Sequence, residues 1–222
     1  YALKKVVNTK GSFTTESQNL VLDFYSGIVL EKLEKTSLGI YLKSVTKPAY
    51  TITPYANMGP KGLDITKRNM LSQQAATYVY QSDANANKLG LISANAQTWS
   101  KEWTNYRDYS SGTQTFANAS ELVEANKVWR ISGQYFFKGN YAKRQTNGTL
   151  QFNLADDFDF VSFSTGSLWQ YVSEPRRFDH YGMPLEHYDI MSAAVSSSKM
   201  GYGDRMKIAS ASNASYLEIA FS

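Results

Sequence analysis

Short runs of alternating apolar and polar residues, broken at intervals by glycine, set the character of the chain. Over "ALKKVVNTKGSFTTESQNLVLDFYSGIVLEKLEKTSLGIYLKSV", Val6, Phe13, Leu20, Leu22, Phe24, Ile28 and Leu30 fall in runs bounded by Lys10-Gly11, Ser26-Gly27 and Leu38-Gly39. Turn residues at that spacing, between alternating or β-branched runs, predict a meander of antiparallel hairpins. No apolar stripe at a helical period is long enough to compete. "MLSQQAATYVYQSD" alternates as well, with Leu71, Ala75, Thr77 and Val79 on one face and Gln74, Ala76, Tyr78 and Tyr80 on the other. A polar turn over 83–87 follows.

Elsewhere the pattern is less regular. The segment 46–68 holds Pro48, Pro54 and Pro60 with Gly59 and Gly62. Such density interrupts strand ladders and predicts a loop-rich crossing or a sub-boundary. "KLGLISANAQTWSKEWTNYRDY" reads as extended or irregular, although Trp99 and Trp103 have helical spacing. Asn118 and Glu121 fit a capped short helix over "ASELVEANK". "VWRISGQYFFKGNYAKRQTNGTLQFNL" predicts two strands around a glycine-containing loop, "DFDFVSF" another strand, and "YLEIAFS" a strand pattern still running at Ser222. The whole is expected to be mainly β, an antiparallel meander with at most one or two short helices. It reads as one β-rich region, 1–222, of a longer chain.

Composition narrows the possibilities. Aromatics make up 14% of the 222 residues, with 16 Tyr, which favours strands over helices and excludes a disordered chain. Cysteine is absent, so disulfides, thiolate metal sites and a cysteine nucleophile are excluded. The net charge of +4 arises from scattered basic doublets such as Lys4-Lys5 and Arg176-Arg177. That distribution suits solvated strand faces and not a phosphate-tracking stripe, so no nucleic-acid partner is expected. No apolar run reaches the length of a membrane-crossing helix.

Candidate chemistry is sparse. "RFDHYGMPLEHYD" (Arg177 to Asp189) contains both histidines, His180 and His187, beside Asp179 and Glu186. These are general acid or base side chains. A turn at Gly182-Met183-Pro184 separates them, so spacing alone brings no two together, and strand, turn and strand is the simpler reading. Asp156, Asp157 and Asp159 cluster without the central glycine and closing glutamate of a calcium loop, which leaves a solvated turn. Trp99, Trp103, Trp129 and Trp169 are candidates for a sugar-stacking platform, or else core residues. Phosphate loops, paired-histidine zinc motifs and nucleophile elbows do not occur, and no cofactor is expected.

An approximate repeat remains. "LDFYSGIVLEK" (Leu22 to Lys32) and "FDHYGMPLEHYD" (Phe178 to Asp189) share an apolar residue, Asp, Tyr, Gly and then Leu-Glu. The second copy resembles the tyrosine-aspartate (YD) repeat of RHS-type proteins, and the first is a looser version. The wider sequence is similar to very large RHS-like surface proteins of Bacteroidetes. This resemblance implies a secreted or cell-surface β-rich sheet or shell that encloses, displays or scaffolds other segments. Asp23, Gly27 and Leu30, with Asp179, Gly182 and Leu185, would carry its turn and core roles. Only two units are recognisable, and the Asp-Pro-x-Gly self-cleavage signature of RHS cores is missing.

The expected function is therefore a non-catalytic scaffold or adhesive segment. Its partners would be the remainder of the parent chain, another surface or secretion protein, or glycans. A carbohydrate-binding module using exposed tryptophans and a carboxylate-dependent glycan hydrolase are the alternatives. Two carboxylates facing across a cleft would mark the latter.

Overall fold

The computed structural model describes residues 3–101, 109–110, 115–116, 129–139, 141–144, 150–152, 155, 157–163, 168–178, 183–203 and 205–220. The strands are β1 (Lys5–Lys10), β2 (Phe13–Leu22), β3 (Val29–Lys35), β4 (Tyr41–Pro48), β5 (Gln74–Ser82), β6 (Lys88–Ser100), β7 (Tyr109–Ser110) and β8 (Thr115–Phe116). They continue as β9 (Arg130–Phe137), β10 (Tyr141–Arg144), β11 (Leu150–Phe152), β12 (Trp169–Phe178), β13 (Pro184–Asp189), β14 (Ala194–Gly201) and β15 (Met206–Ser212). One 11-stranded antiparallel meander has the order β1-β2-β3-β4-β5-β6-β9-β12-β13-β14-β15, and β7-β8 and β10-β11 form separate pairs. The fold is mainly β, as the alternating pattern predicts.

The predicted hairpin turns are present. Gly11, Gly27 and Gly39 adopt φ of 62°, 73° and 77°, the left-handed region that glycine enters without steric cost. The chain divides into two compact units, Tyr1–Ala96 with Phe136–Gln170, and Gln97–Tyr135 with Tyr171–Ser222. The Pro/Gly-rich segment 46–68 lies inside the first.

In the first unit, pairing places Lys5, Leu33, Lys43, Tyr80 and Leu91 on one sheet face, with Glu31, Val45, Tyr78 and Ala94 beside them. Tyr78 and Tyr80 stack at 6.1 Å and are 0% and 2% exposed. Trp169 meets Tyr78, Phe137 and Phe158 at 6.2, 5.8 and 5.1 Å, each edge-to-face, a geometry that adds to area burial. Phe158 also meets Phe160, which in turn meets Tyr55. Of the two faces predicted for β5, the tyrosine face is thus the core.

The Pro/Gly-rich crossing contributes to this core. It winds into 3-10 turns at Ala49–Thr51 and Thr53–Met58, burying Ala49, Tyr55 and Met58. The "DFDFVSF" strand does not form. Residues 160–162 are a turn instead, and both Phe158 and Phe160 point into the core. A strand would send Phe158 and Phe160 to one face and Asp157 and Asp159 to the other. Here Asp159 instead accepts the Val161 N–H at 2.8 Å and the Ser162 hydroxyl at 2.5 Å, which folds the chain back.

In the second unit, Gly133 lies under Tyr171. A Cβ there would sit 2.7 Å from the ring, and this close approach lets Tyr135 and Tyr171 meet at 4.7 Å. "YLEIAFS" departs from the strand reading: α1 (Tyr216–Ala220) is a short helix. Glu218 accepts both the Ser215 N–H at 2.6 Å and its hydroxyl at 2.8 Å, so the carboxylate of a Ser-x-x-Glu sequence reaches back to the residue that starts the helix. "VWRISGQYFFKGNYAKRQTNGTLQFNL" supplies three strands, β9, β10 and β11, where two were expected. The helix expected after Asn118 lies outside the described residues.

Candidate functional site

The candidate site residues divide by what already holds them. Trp99, Trp129 and Trp169 are 7%, 7% and 6% exposed. Their rings are consumed by packing, so none presents a face to a ligand. Trp103 lies outside the described residues.

Asp23 is the best-defined motif residue. It is 7% exposed, and its carboxylate accepts the Ser26 N–H at 2.8 Å, the Ser26 hydroxyl, and the Tyr50 hydroxyl at 2.5 Å. Its backbone closes the same turn, with Asp23 N–H to Ile28 O at 2.8 Å and Gly27 N–H to Asp23 O at 2.9 Å. Desolvation pushes the carboxyl up, but the hydrogen bonds from Ser26 and Tyr50 outweigh it and hold the group below its ordinary value. Burial, and then the bond to Asp23, push the Tyr50 phenol up. Leu30 is half-buried and lines a shallow groove of about 330 Å³ with Val21, Val45, Pro48 and Ile52.

In the second copy, Leu185 is 2% exposed. Its neighbour Glu186 is 7% exposed, accepts the Tyr216 N–H at 2.7 Å, and lies 3.6 Å from Arg177 Nε. His187 stands on β13 opposite Pro175 and Ser196. Asp179, His180 and Gly182 lie outside the described residues.

The remaining described carboxylates are also engaged. Asp64, Asp83 and Asp189 accept backbone N–H groups of Thr66, of Asn85 and Asn87, and of Ser192, as Asp159 does from Val161. Hydrogen bonds from Thr66, Asn87, Ser162 and Ser192 hold Asp64, Asp83, Asp159 and Asp189 below the usual carboxylate value. Glu16 pairs with Lys5, Glu31 with Lys43, Glu34 with Lys32 and Glu174 with Arg176. Asp157 takes Lys47 at 2.5 Å and the Tyr80 hydroxyl at 3.4 Å, while Asp156 lies outside the described residues. Among the described residues, no group of three or more His, Asp or Glu is arranged to hold a metal ion, and no helix is long and apolar enough to cross a membrane.

Sequence reasoning passed over the device that recurs here. Asp23-Phe-Tyr-Ser26, Asp159-Phe-Val-Ser162 and Asp189-Ile-Met-Ser192 are all Asp-x-x-Ser, and in each the aspartate folds back onto its own turn. The signal was in the spacing, since Asp side chains bond backbone amides two or three residues on. No family model matches the chain. No curated protein and no solved structure matches it either.

What remains open is the sheet's margin. β1 and β15 end the meander, and nearly every residue of both is exposed. Val7, Met206 and Ile208 are 52%, 59% and 51% exposed.

Proposed function

We propose that the chain is a non-catalytic scaffold or adhesive segment of a secreted or cell-surface protein of the RHS type, with its YD-like units serving as hairpin braces. One observation carries this reading: among the described residues, the carboxylates are engaged in turns, ladders and caps. A general acid or base needs a carboxyl free to reach substrate, with a pKa near the working pH. Asp23, Asp64, Asp83, Asp159 and Asp189 are instead held low by the turns they close. Burial of Trp99, Trp129 and Trp169 argues in the same direction against a tryptophan stacking platform. A long meander ending in two exposed strands suits a surface that other segments join.

The test is incubation of the folded chain with a panel of plant, bacterial and host polysaccharides, read by reducing-end release and by glycan-array binding. Neither hydrolysis nor saturable binding is expected. Turnover that disappears on replacing a single Asp or Glu would overturn the scaffold reading, as would glycan binding lost on replacing one tryptophan.

A further inference from the structure

The backbone of β1 defines which of its groups face outward. Asn19 N–H donates to Lys4 O at 2.8 Å, and Lys10 pairs with Phe13 across a two-residue turn. In an antiparallel ladder, hydrogen-bonded and non-hydrogen-bonded pairs alternate. Lys4, Val6, Asn8 and Lys10 therefore direct their N–H and C=O groups toward β2. Lys5, Val7 and Thr9 direct theirs outward, at the end of the sheet.

The charge along this edge is one-sided. Lys4, Lys5 and Lys10 are exposed, and residues 3–10 contain no acid. Within the sheet, neighbouring strands join opposite charges, as Lys5 with Glu16 at 2.8 Å and Lys43 with Glu31 at 2.9 Å. Among the described residues, no strand lies on the outer side of Lys5 to offer such a partner.

A second copy of the chain is disfavoured in the register that sets Val7 opposite Val7. Twofold antiparallel pairing of two β1 strands, centred on Val7, matches the outward groups but sets each Lys4 opposite the other copy's Lys10. Like charges directly opposite are destabilising.

We propose that β1 accepts an acidic extended polypeptide segment as an added antiparallel strand. This inference rests on the scaffold reading and names the chemistry of what joins it. Main-chain bonds to Lys5, Val7 and Thr9 provide the attachment, as in β-strand addition elsewhere. Selectivity comes from acids placed opposite Lys4, Lys5 and Lys10 and from a β-branched residue opposite Val7.

The probe is a capped peptide, Glu-Thr-Thr-Val-Val-Glu-Glu, which reads antiparallel against Lys10 to Lys4. Its controls are the same peptide with lysine for glutamate and one N-methylated at alternate amides. Amide exchange followed by NMR on the full chain is expected to slow at Lys5, Val7 and Thr9 when the acidic peptide is added. Affinity should be roughly tenfold above that of the lysine peptide at low salt and should decline toward about 1 M salt. The N-methylated peptide should not bind, and charge reversal at Lys4, Lys5 and Lys10 to Glu should exchange the preference. The proposal is overturned if millimolar acidic peptide leaves those three amides unprotected, if both charge forms bind equally, or if the chain alone dimerises through β1. Failure here leaves the polysaccharide result untouched, so loss of the docking edge and loss of the scaffold reading are separable.

Discussion

Replacing Asp23 tests whether the YD-like motif is a brace. Its carboxylate accepts bonds from the Ser26 N–H, the Ser26 hydroxyl and the Tyr50 hydroxyl in a nearly closed site. Hydrogen bonds to a charged group contribute about 1.5–3 kcal/mol each, and leaving a buried donor unsatisfied costs about 1–3 kcal/mol. Asn keeps one acceptor oxygen but loses the charge, so Asp23→Asn is expected to cost about 2 kcal/mol. Asp23→Ala also strands the Tyr50 hydroxyl and is expected to cost about 4 kcal/mol. For a chain of this size, Asp23→Asn corresponds to a drop of roughly 4–8 °C in Tm.

The dependence on pH has a definite sign. The folded carboxyl lies below its ordinary value of 3.8, so its stabilisation is complete above that value and is lost as pH falls through the lowered one. Urea denaturation at pH 7 and at acid pH, on the wild type, Asp23→Asn, Tyr50→Phe and the double variant, measures both effects. The coupling between Asp23 and Tyr50 should be about 1.5 kcal/mol at pH 7 and should shrink in acid. An Asp23→Asn variant as stable as the wild type at neutral pH would refute the brace, as would a deficit that persists unchanged in acid.

Other expectations follow from the same geometry. Trp169→Ala removes the ring that Tyr78, Phe137 and Phe158 pack against and should cost about 3–5 kcal/mol in urea denaturation. Leu185→Ala should cost about 2–5 kcal/mol, whereas His187→Ala, on a half-buried side chain, should leave far-UV circular dichroism and Tm nearly unchanged. Gly133→Ala forces a Cβ to within 2.7 Å of Tyr171 and should cost about 1–3 kcal/mol. Burial pushes the Tyr78 phenol up to about 12 against an ordinary 10.0, with the Phe158 N–H bond opposing. Stability should therefore fall as pH rises from 10.0 through about 12, and ultraviolet tyrosine titration should show a phenol ionising with unfolding.

The hairpins were legible because their punctuation is local: a glycine with positive φ between two alternating runs admits few other solutions. The choice of core face on β5 was not legible, because Ala75, Thr77 and Val79 alternate with Ala76, Tyr78 and Tyr80. The aromatic loop from a distant part of the chain makes the tyrosine side the dry one. That dependence also hid the fate of "DFDFVSF", whose alternation mimics a strand while Asp159 closes a turn and Asp157 takes Lys47. The Ser215-x-x-Glu218 start of α1 was present in the sequence, but Tyr216, Leu217 and Ile219 weigh toward strand, and the capping contact prevails. The candidate site was legible only as a set of residue types. Whether an aspartate is free or folded onto its own turn depends on backbone geometry that composition does not carry.

The bond from Phe158 N–H to the Tyr78 hydroxyl joins residues 80 apart in sequence, whereas most strands of the meander lie beside their immediate sequence neighbours. Hairpins of that kind close in about 1–10 μs, but the entropy of a long loop must be met before its contacts reward it. The order of assembly follows. The first hairpins can zip as the chain lengthens, and for as long as residues 157–163 are unmade or undocked, the stacked tyrosines of β5 stay wet. A ribosome that paused the chain before Asp157 would therefore hold a ladder with its aromatic seam exposed, the species most in need of a chaperone.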